Sequence, residues 1–432
     1  MAKKIIIFFC GLLFCFSAFS QEEGYRIKFN FSGIDQQKLY LKANYGDKYF
    51  IFDSAQADKN GFFTFKNKSK QLPKGIYQLV NRENESYFDI IVGSSQHFTL
   101  TGDLNTLWKN CRIEGSDENA AFYILQRQVN ANRSPQQLIE DLQETMPQSL
   151  LCKYATAQFV KIPPPDFRMP DSTHDVQKEY LYYTEHFFDN ITFTDERLLR
   201  TPVEFDIDIF FTEIVIQQED SMIREIKAFL EKSKTNQEMQ NYCLKTIYHI
   251  LDQNNSHYDK AMVWLYDTYC QDSNCEWLED HYQLRLKRQV NEKRKTLVGA
   301  TVPPLGAFDE NREAKSSEEV KNNYILLWFW DPDCEDCLLH TPELYDFYET
   351  FYDLYDFEVF AISISQDFEK WKTVSAQFPA WINVSYAAGE PNYDFVDYFN
   401  ILTTPGIYLI DKNHTIIARQ FPLRDILEVF NH

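Results

Sequence analysis

The chain has 432 residues and carries 64 acidic against 43 basic side chains, a formal net charge of −21. A surface of that sign repels phosphate backbones and anionic lipid, which argues against nucleic acid as a partner. The length exceeds what one hydrophobic core serves and calls for roughly two to four domains, and 36 Phe with 26 Tyr leave no shortage of apolar surface to fill them.

The opening MAKKIIIFFCGLLFCFSAFS combines a basic start (Lys3, Lys4), an apolar run, and small residues at Ala18 and Ser20 ahead of Gln21. The pattern predicts a secretory signal over residues 1–20, too short for a spanning helix, and hence a protein exported from the cytoplasm. A retained anchor and lipidation at Cys15 are the weaker readings, the second because Phe14 stands where a lipobox wants a small residue. No later stretch has the roughly 20 apolar residues that span a bilayer. The acidic residues are scattered and read as a solvated surface. Beyond the signal stand Cys111, Cys152, Cys243, Cys270, Cys275, Cys334 and Cys337, an odd count in too long a chain for a disulfide scaffold. Cys270 and Cys275 are close enough to pair, or they are two buried thiols; the sequence leaves both open.

Residues 21–115 alternate short aromatic and β-branched runs with Gly, Asn and Asp, which predicts an all-β sandwich or small barrel. Within it Asp58-Lys59-Asn60-Gly61 is a tight-turn sequence ahead of a Phe-Phe-Thr-Phe strand. That hairpin and the strand rhythm resemble the small β-sandwich domain of unknown function at the start of many exported Bacteroidetes thioredoxin-like proteins. Over residues 116–298 apolar positions recur at three and four, predicting a helical domain interrupted by the Pro-rich break Lys161–Asp171. DNITFTDERLLRTPV, Asp189–Val203, resembles part of the helical domain in the same proteins. His174, His186, His249, His257 and His281 show no ligand-like pairing and read as structural or surface residues.

Residues 299–432 change pattern again. A Pro/Gly-punctuated entry leads to an apolar strand at Tyr324–Trp330, a helix to Tyr355, a strand at Glu358–Ile364, a helix at Asp367–Phe378, strands at Gly406–Asp411 and Thr415–Gln420, and a last helix. Such alternation means crossovers over a buried sheet, an α/β domain.

Between the first strand and helix of that domain stands WFWDPDCEDCLLHTP. A cysteine pair that switches between dithiol and disulfide needs both sulfurs within bonding reach and one of them exposed and partly ionised. At a helix N-terminus the unpaired N–H groups and the macrodipole favour a thiolate, so Cys334 is the expected nucleophile and Cys337, one turn in, the resolving thiol. A zinc pair would need two more ligands, for which only Cys270, Cys275 and His281 offer themselves; neither a metal nor an organic cofactor is expected. A static disulfide is the other bland reading.

Strand-Trp330-x-x-x-Cys334-x-x-Cys337, with Pro342 five residues into the helix and Thr404-Pro405 ahead of a strand, resembles the TlpA/ResA-like periplasmic branch of the thioredoxin fold, with the peroxiredoxin-like superfamily behind it. The resemblance implies a thioredoxin-like domain, a cis bond at Thr404-Pro405, and substrate contact by Trp330, Asp331, Pro332, Thr404 and Pro405. It also implies protein disulfide substrates. The branch often has a Glu three residues past the second cysteine; here His340 is either its replacement in proton handling or an exposed side chain. Trp328 occupies the place of the buried Asp of ordinary thioredoxins. Glu335 and Asp336 between the cysteines disfavour a neighbouring thiolate, which points to a reductase or isomerase more than a primary oxidant. The chain has no Gly-rich dinucleotide motif, so a membrane partner is the expected electron donor. A thiol peroxidase with antioxidant activity is the competing chemistry, although Pro332-Asp-Cys334 lacks the spacing and the Thr of that loop. A non-enzymatic envelope scaffold is the competing class.

Overall fold

The computed structural model describes residues 24–431 apart from 35–37, 47, 107–109, 161–164, 170–174, 254–257 and 271–274. The secretory signal expected at 1–20, most of the Pro-rich break, His174 and His257 lie outside the described residues. The chain divides into two compact units, one of residues up to Ile207 with Lys232–Tyr242, the other of Asp208–Glu231 with Cys243–His432. Among the described residues no helix is long and apolar enough to cross a membrane.

The first unit holds two four-stranded sheets. One has the order β4 (Phe63–Asn67), β1 (Tyr25–Ser32), β7 (His97–Asp103), β8 (Arg112–Glu114); the other β3 (Lys48–Gln56), β2 (Lys38–Tyr45), β5 (Gly75–Val80), β6 (Ser86–Val92). Alternation decides which face is inside: along β1, Ile27, Phe29 and Phe31 are buried while Arg26 and Ser32 face out. Phe29 meets Phe65 and Phe88 edge to face at 5.7 and 5.3 Å. Asp58 closes the hairpin before β4 by accepting from the backbone N–H groups of Asn60 and Phe62, with Gly61 at φ 78°, a conformation glycine adopts without strain. Helices α1 (Asp117–Asn130), α2 (Gln136–Thr145), α3 (Leu150–Phe159) and α4 (Val176–His186) follow. Ser116 caps α1, and buried Asn119 bonds both the N–H and the C=O of Ile91, fixing that helix to β6.

The second unit joins helical segments to an α/β layer. Its helices include most of α5 (Glu219–Ser233) and α6 (Gln237–Gln253), then α7 (Asp259–Tyr269) and α8 (Asp280–Arg294). The seven-stranded sheet has the order β10 (Ala314–Ser316), β9 (Gly306–Phe308), β13 (Ile382–Ser385), β12 (Phe357–Ser363), β11 (Tyr324–Trp330), β14 (Gly406–Asp411), β15 (Ile416–Arg419). β11, β12 and β13 run parallel, and β14 and β15 antiparallel to their neighbours. The unbroken apolar run of β11 reflects burial on both faces: Leu326, Trp328 and Trp330 enter one core cluster, Ile325, Leu327 and Phe329 the other. Each fully buried side chain of this size contributes about 1.5–3 kcal/mol. Around this sheet stand α9 (Glu335–Tyr355), α10 (Phe368–Ser375), the short α11 (Phe395–Tyr398) and α12 (Ile426–Asn431).

The outer edge of β15 is not bare. Ile416 and His414 exchange backbone hydrogen bonds with Gly299, Ala300 and Val302 of the entry segment. Beside it Arg419 donates to Asp259 of α7 at 2.8 Å, with side chains only 9% and 3% exposed, and Lys293 of α8 also pairs with Asp259. Removing one member of a pair this buried costs about 3–5 kcal/mol, because the other charge is left without compensation. The ion-pair cluster therefore holds α7 and α8 against the sheet edge.

Candidate active site

β11 ends at Trp330, and Asp331-Pro332-Asp333 turns the chain into α9. Asp331 supports the turn by accepting from the N–H of Asp333 through its carboxylate and from the N–H of Cys334 through its carbonyl. Asp333 pairs with Lys370 of α10. Cys334 is the N-cap of α9: its sulfur accepts from the N–H of Cys337 at 3.2 Å, a position in which an orphan backbone donor and the positive end of the helix both favour negative charge. Pro342 lies inside this helix and has no N–H to give to its hydrogen-bond ladder.

Thr404-Pro405 is a cis peptide, and the Cys334 thiol donates to the Thr404 carbonyl at 3.3 Å. Seventy residues of chain are thus brought back onto the cysteine by the return strand β14, whose Gly406 stands opposite Phe329 in register. The two cysteines are both thiols and differ in access. Cys334 is half-buried, whereas Cys337 has no exposed surface, and burial followed by its bond with Cys334 pushes its thiol up to about 12. One sulfur is reachable at the helix N-terminus; the other is buried and held as a neutral thiol.

The remaining expected residues are spread around this pair. His340 lies one turn beyond Cys337, 39% exposed, with Nδ1 at 2.8 Å from a Glu343 carboxylate oxygen. Thr404 and Pro405 are half-buried beside Cys334, and Asp331 is half-buried in the turn. Pro332 is buried, and Trp330, 1% exposed, sits in the core, where an incoming chain does not reach it. Trp328 is also in the core, and its indole N–H donates to buried Thr341 at 3.1 Å. The unit does contain a half-buried acid whose carboxyl is raised by burial, Glu358, but it pairs in register with Ile325 at the far end of β11, about 17 Å of strand from Trp330.

A cleft of about 1540 Å³ adjoins this site without including either cysteine in its lining; it is lined by α9 (Asp336, His340, Glu343), by Thr403 and Pro405, and also by Glu219 and Asp220 of α5 and Lys260 of α7. Sequence reading missed this wall, because helices distant in the chain supply it. Cys270 and Cys275 form a disulfide at the end of α7. Among the described residues no group of three or more His, Cys, Asp or Glu is placed to hold a metal ion.

Residues 322–416 match the family described as thioredoxin-like, and residues 25–122 match a domain of unknown function, DUF4369. No curated protein matches the chain. Among solved structures, a domain of a "possible thiol-disulfide isomerase" from Cytophaga hutchinsonii is 28% identical, covering 31% of this chain and 90% of its own, with a TM-score of 0.29. A thioredoxin-like protein from Bacteroides caccae is 16% identical over 63% of this chain and 99% of its own, with a TM-score of 0.43. A thiol-disulfide oxidoreductase from Bacteroides fragilis is 26% identical over 30% and 97%, with a TM-score of 0.26. With these scores the fold assignment rests on the family match and on the strand order.

Proposed function

We propose that this protein is a periplasmic thiol-disulfide oxidoreductase that reduces or isomerises protein disulfides through Cys334 and Cys337. The observation that carries the reading is the asymmetry of the pair: a half-exposed helix-capping sulfur bonded to the carbonyl ahead of a cis proline, and a wholly buried partner one turn on. A staple has no need of a reachable, N–H-stabilised sulfur beside an open cleft. The thioredoxin-like region (299–432) carries the chemistry; the β-sandwich (21–115) and helical region (116–298) precede it in the chain.

The Cys334 thiolate attacks one sulfur of a client disulfide. An S–S bond forms between enzyme and client, the client's own S–S bond breaks, and its second sulfur leaves as a thiolate that takes up a proton. Cys337 then loses its proton and attacks Cys334; the mixed disulfide breaks, the second client thiol departs, and two electrons have moved from enzyme to client. The second step needs a base, since burial holds Cys337 as a thiol. His340, hydrogen-bonded to Glu343 one turn away, is the residue we assign to receive that proton. Return to the dithiol requires a two-electron donor, for which a membrane-bound thiol partner is the proposed class. Glu335 and Asp336 next to the nucleophile favour the reducing direction.

A Cys337→Ser variant tests the reading. Mixed disulfides between Cys334 and specific envelope proteins are expected to accumulate and to be released by dithiothreitol. Failure to trap any protein above the level of a Cys334→Ser, Cys337→Ser control contradicts it.

A further inference from the structure

The cleft beside the redox pair is larger than small-molecule sites, which run to about 1,000 Å³, and its volume of about 1540 Å³ suits a stretch of polypeptide. One wall belongs to the thioredoxin-like region and the other to α5 and α7, held there by the buried Arg419–Asp259 pair. The two walls differ from ordinary surface in two respects. Leu402, next to the Thr403–Pro405 loop, is 68% exposed, and Val298, also in the lining, is 60% exposed, so the cleft presents apolar side chains to water. Its cations are already matched: Lys260 bonds Asp220 at 2.6 Å, Arg419 bonds Asp259, and Arg424 pairs with Asp425. Its acids are less so. Asp336 has no ion-pair partner among the described residues, Glu343 has only His340, and Asp220 is 83% exposed despite its lysine.

Resting on the exchange activity proposed above, we infer that α5 and α7 form a second, specificity-determining wall of the client cleft, and that the segment admitted is an extended, apolar, lysine- or arginine-bearing stretch flanking the client's disulfide. Leu402 and Val298 take its apolar side chains. Asp336 and Glu343 of α9, and Asp220 of α5, face its cations. Acidic segments are disfavoured by the same carboxylates, and anionic lipid likewise.

The test uses the reduced full-length chain and three synthetic peptides that share one disulfide ring and differ in their flanks: Leu/Lys, Leu/Glu and Gly/Ser. Single-turnover reduction is expected to be about tenfold faster for Leu/Lys than for Leu/Glu at low salt. The gap is expected to close near 1 M salt, where the screening length falls to about 3 Å. Leu/Lys is also expected to outrun Gly/Ser at high salt, through the apolar contacts. Asp220→Lys is expected to lower the Leu/Lys rate by about threefold and raise the Leu/Glu rate, while Asp220→Glu restores the preference; thermal melts of both variants report folding. Equal rates for all three peptides overturn the inference, and so does a preference that Asp220→Lys leaves untouched, which removes the helical wall from it. Oxidised glutathione separates the two levels: if it is not reduced either, the exchange reading itself has failed and takes the inference with it.

Discussion

The second unit contains two closely spaced cysteine pairs, one bonded and one free, and the helix ends that carry them differ in polarity. Cys270 is the C-cap of α7, its N–H donated to the Tyr266 carbonyl, and it is bonded to Cys275 in a short loop. At that end of a helix the unpaired groups are carbonyls and the macrodipole is negative, surroundings that oppose a thiolate. Cys334 caps the opposite kind of end, where N–H groups point at the sulfur. On the proposed reading, spacing alone does not make a pair reactive; the polarity of the helix end and the access of one sulfur do.

The largest effect expected from this comparison is at Cys334. Cys334→Ser is expected to abolish reduction of insulin or a peptide disulfide, while Cys270→Ser, Cys275→Ser leaves the rate within about twofold of the parent; turbidity or peptide chromatography reads both. Loss of turnover in the Cys270→Ser, Cys275→Ser variant, with the fold intact by circular dichroism, would break the division of labour. Next comes the proton. His340→Ala is expected to slow resolution of the mixed disulfide by about 10²-fold, the lower end for general acid–base catalysis, without slowing its formation; quenched-flow alkylation separates the two steps.

The pH dependence follows from the buried thiol. Because Cys337 is pushed up to about 12, nearly all of it is protonated at neutral pH, and each unit of pH below that value changes its thiolate fraction about tenfold. In the His340→Ala variant, resolution is therefore expected to accelerate about tenfold per unit between pH 6 and 9. A flat profile would remove deprotonation of Cys337 from the rate. The smallest effect concerns stability: opening Cys270–Cys275 frees a very short loop, worth about 2 kcal/mol by the chain-entropy relation, measurable by urea unfolding of the parent and the double serine variant.

What could be read from the sequence depended on whether the signal was local. The turn at Asp58–Gly61, the buried run of β11 and the helix that begins at the cysteines are encoded in adjacent residues, and the structure has all three. The juxtaposition of Thr404 with Cys334 across 70 residues came only through resemblance to a known motif. β9, β10, β13 and α11 escaped, being three or four residues long with too little periodicity to register. The pairing of Cys270 with Cys275 was undecided because backbone direction at the two positions is not written in their spacing. Trp330, expected in substrate contact, has its ring in the core cluster because strand alternation puts it on the same face as Leu326 and Trp328. The Arg419–Asp259 pair joins residues 160 apart and gives the cleft its second wall, a relation no window of sequence contains.

The most direct measurement is an equilibrium redox titration of the full chain in glutathione buffers, with differential alkylation and peptide mass spectrometry reporting each pair separately. Cys334–Cys337 is expected to pass reversibly between dithiol and disulfide at a potential more negative than the roughly −120 mV of a strong oxidant, while Cys270–Cys275 stays oxidised across the same range. A Cys334–Cys337 pair that never changes state, or one that titrates together with Cys270–Cys275, would contradict the assignment of exchange to the capping sulfur.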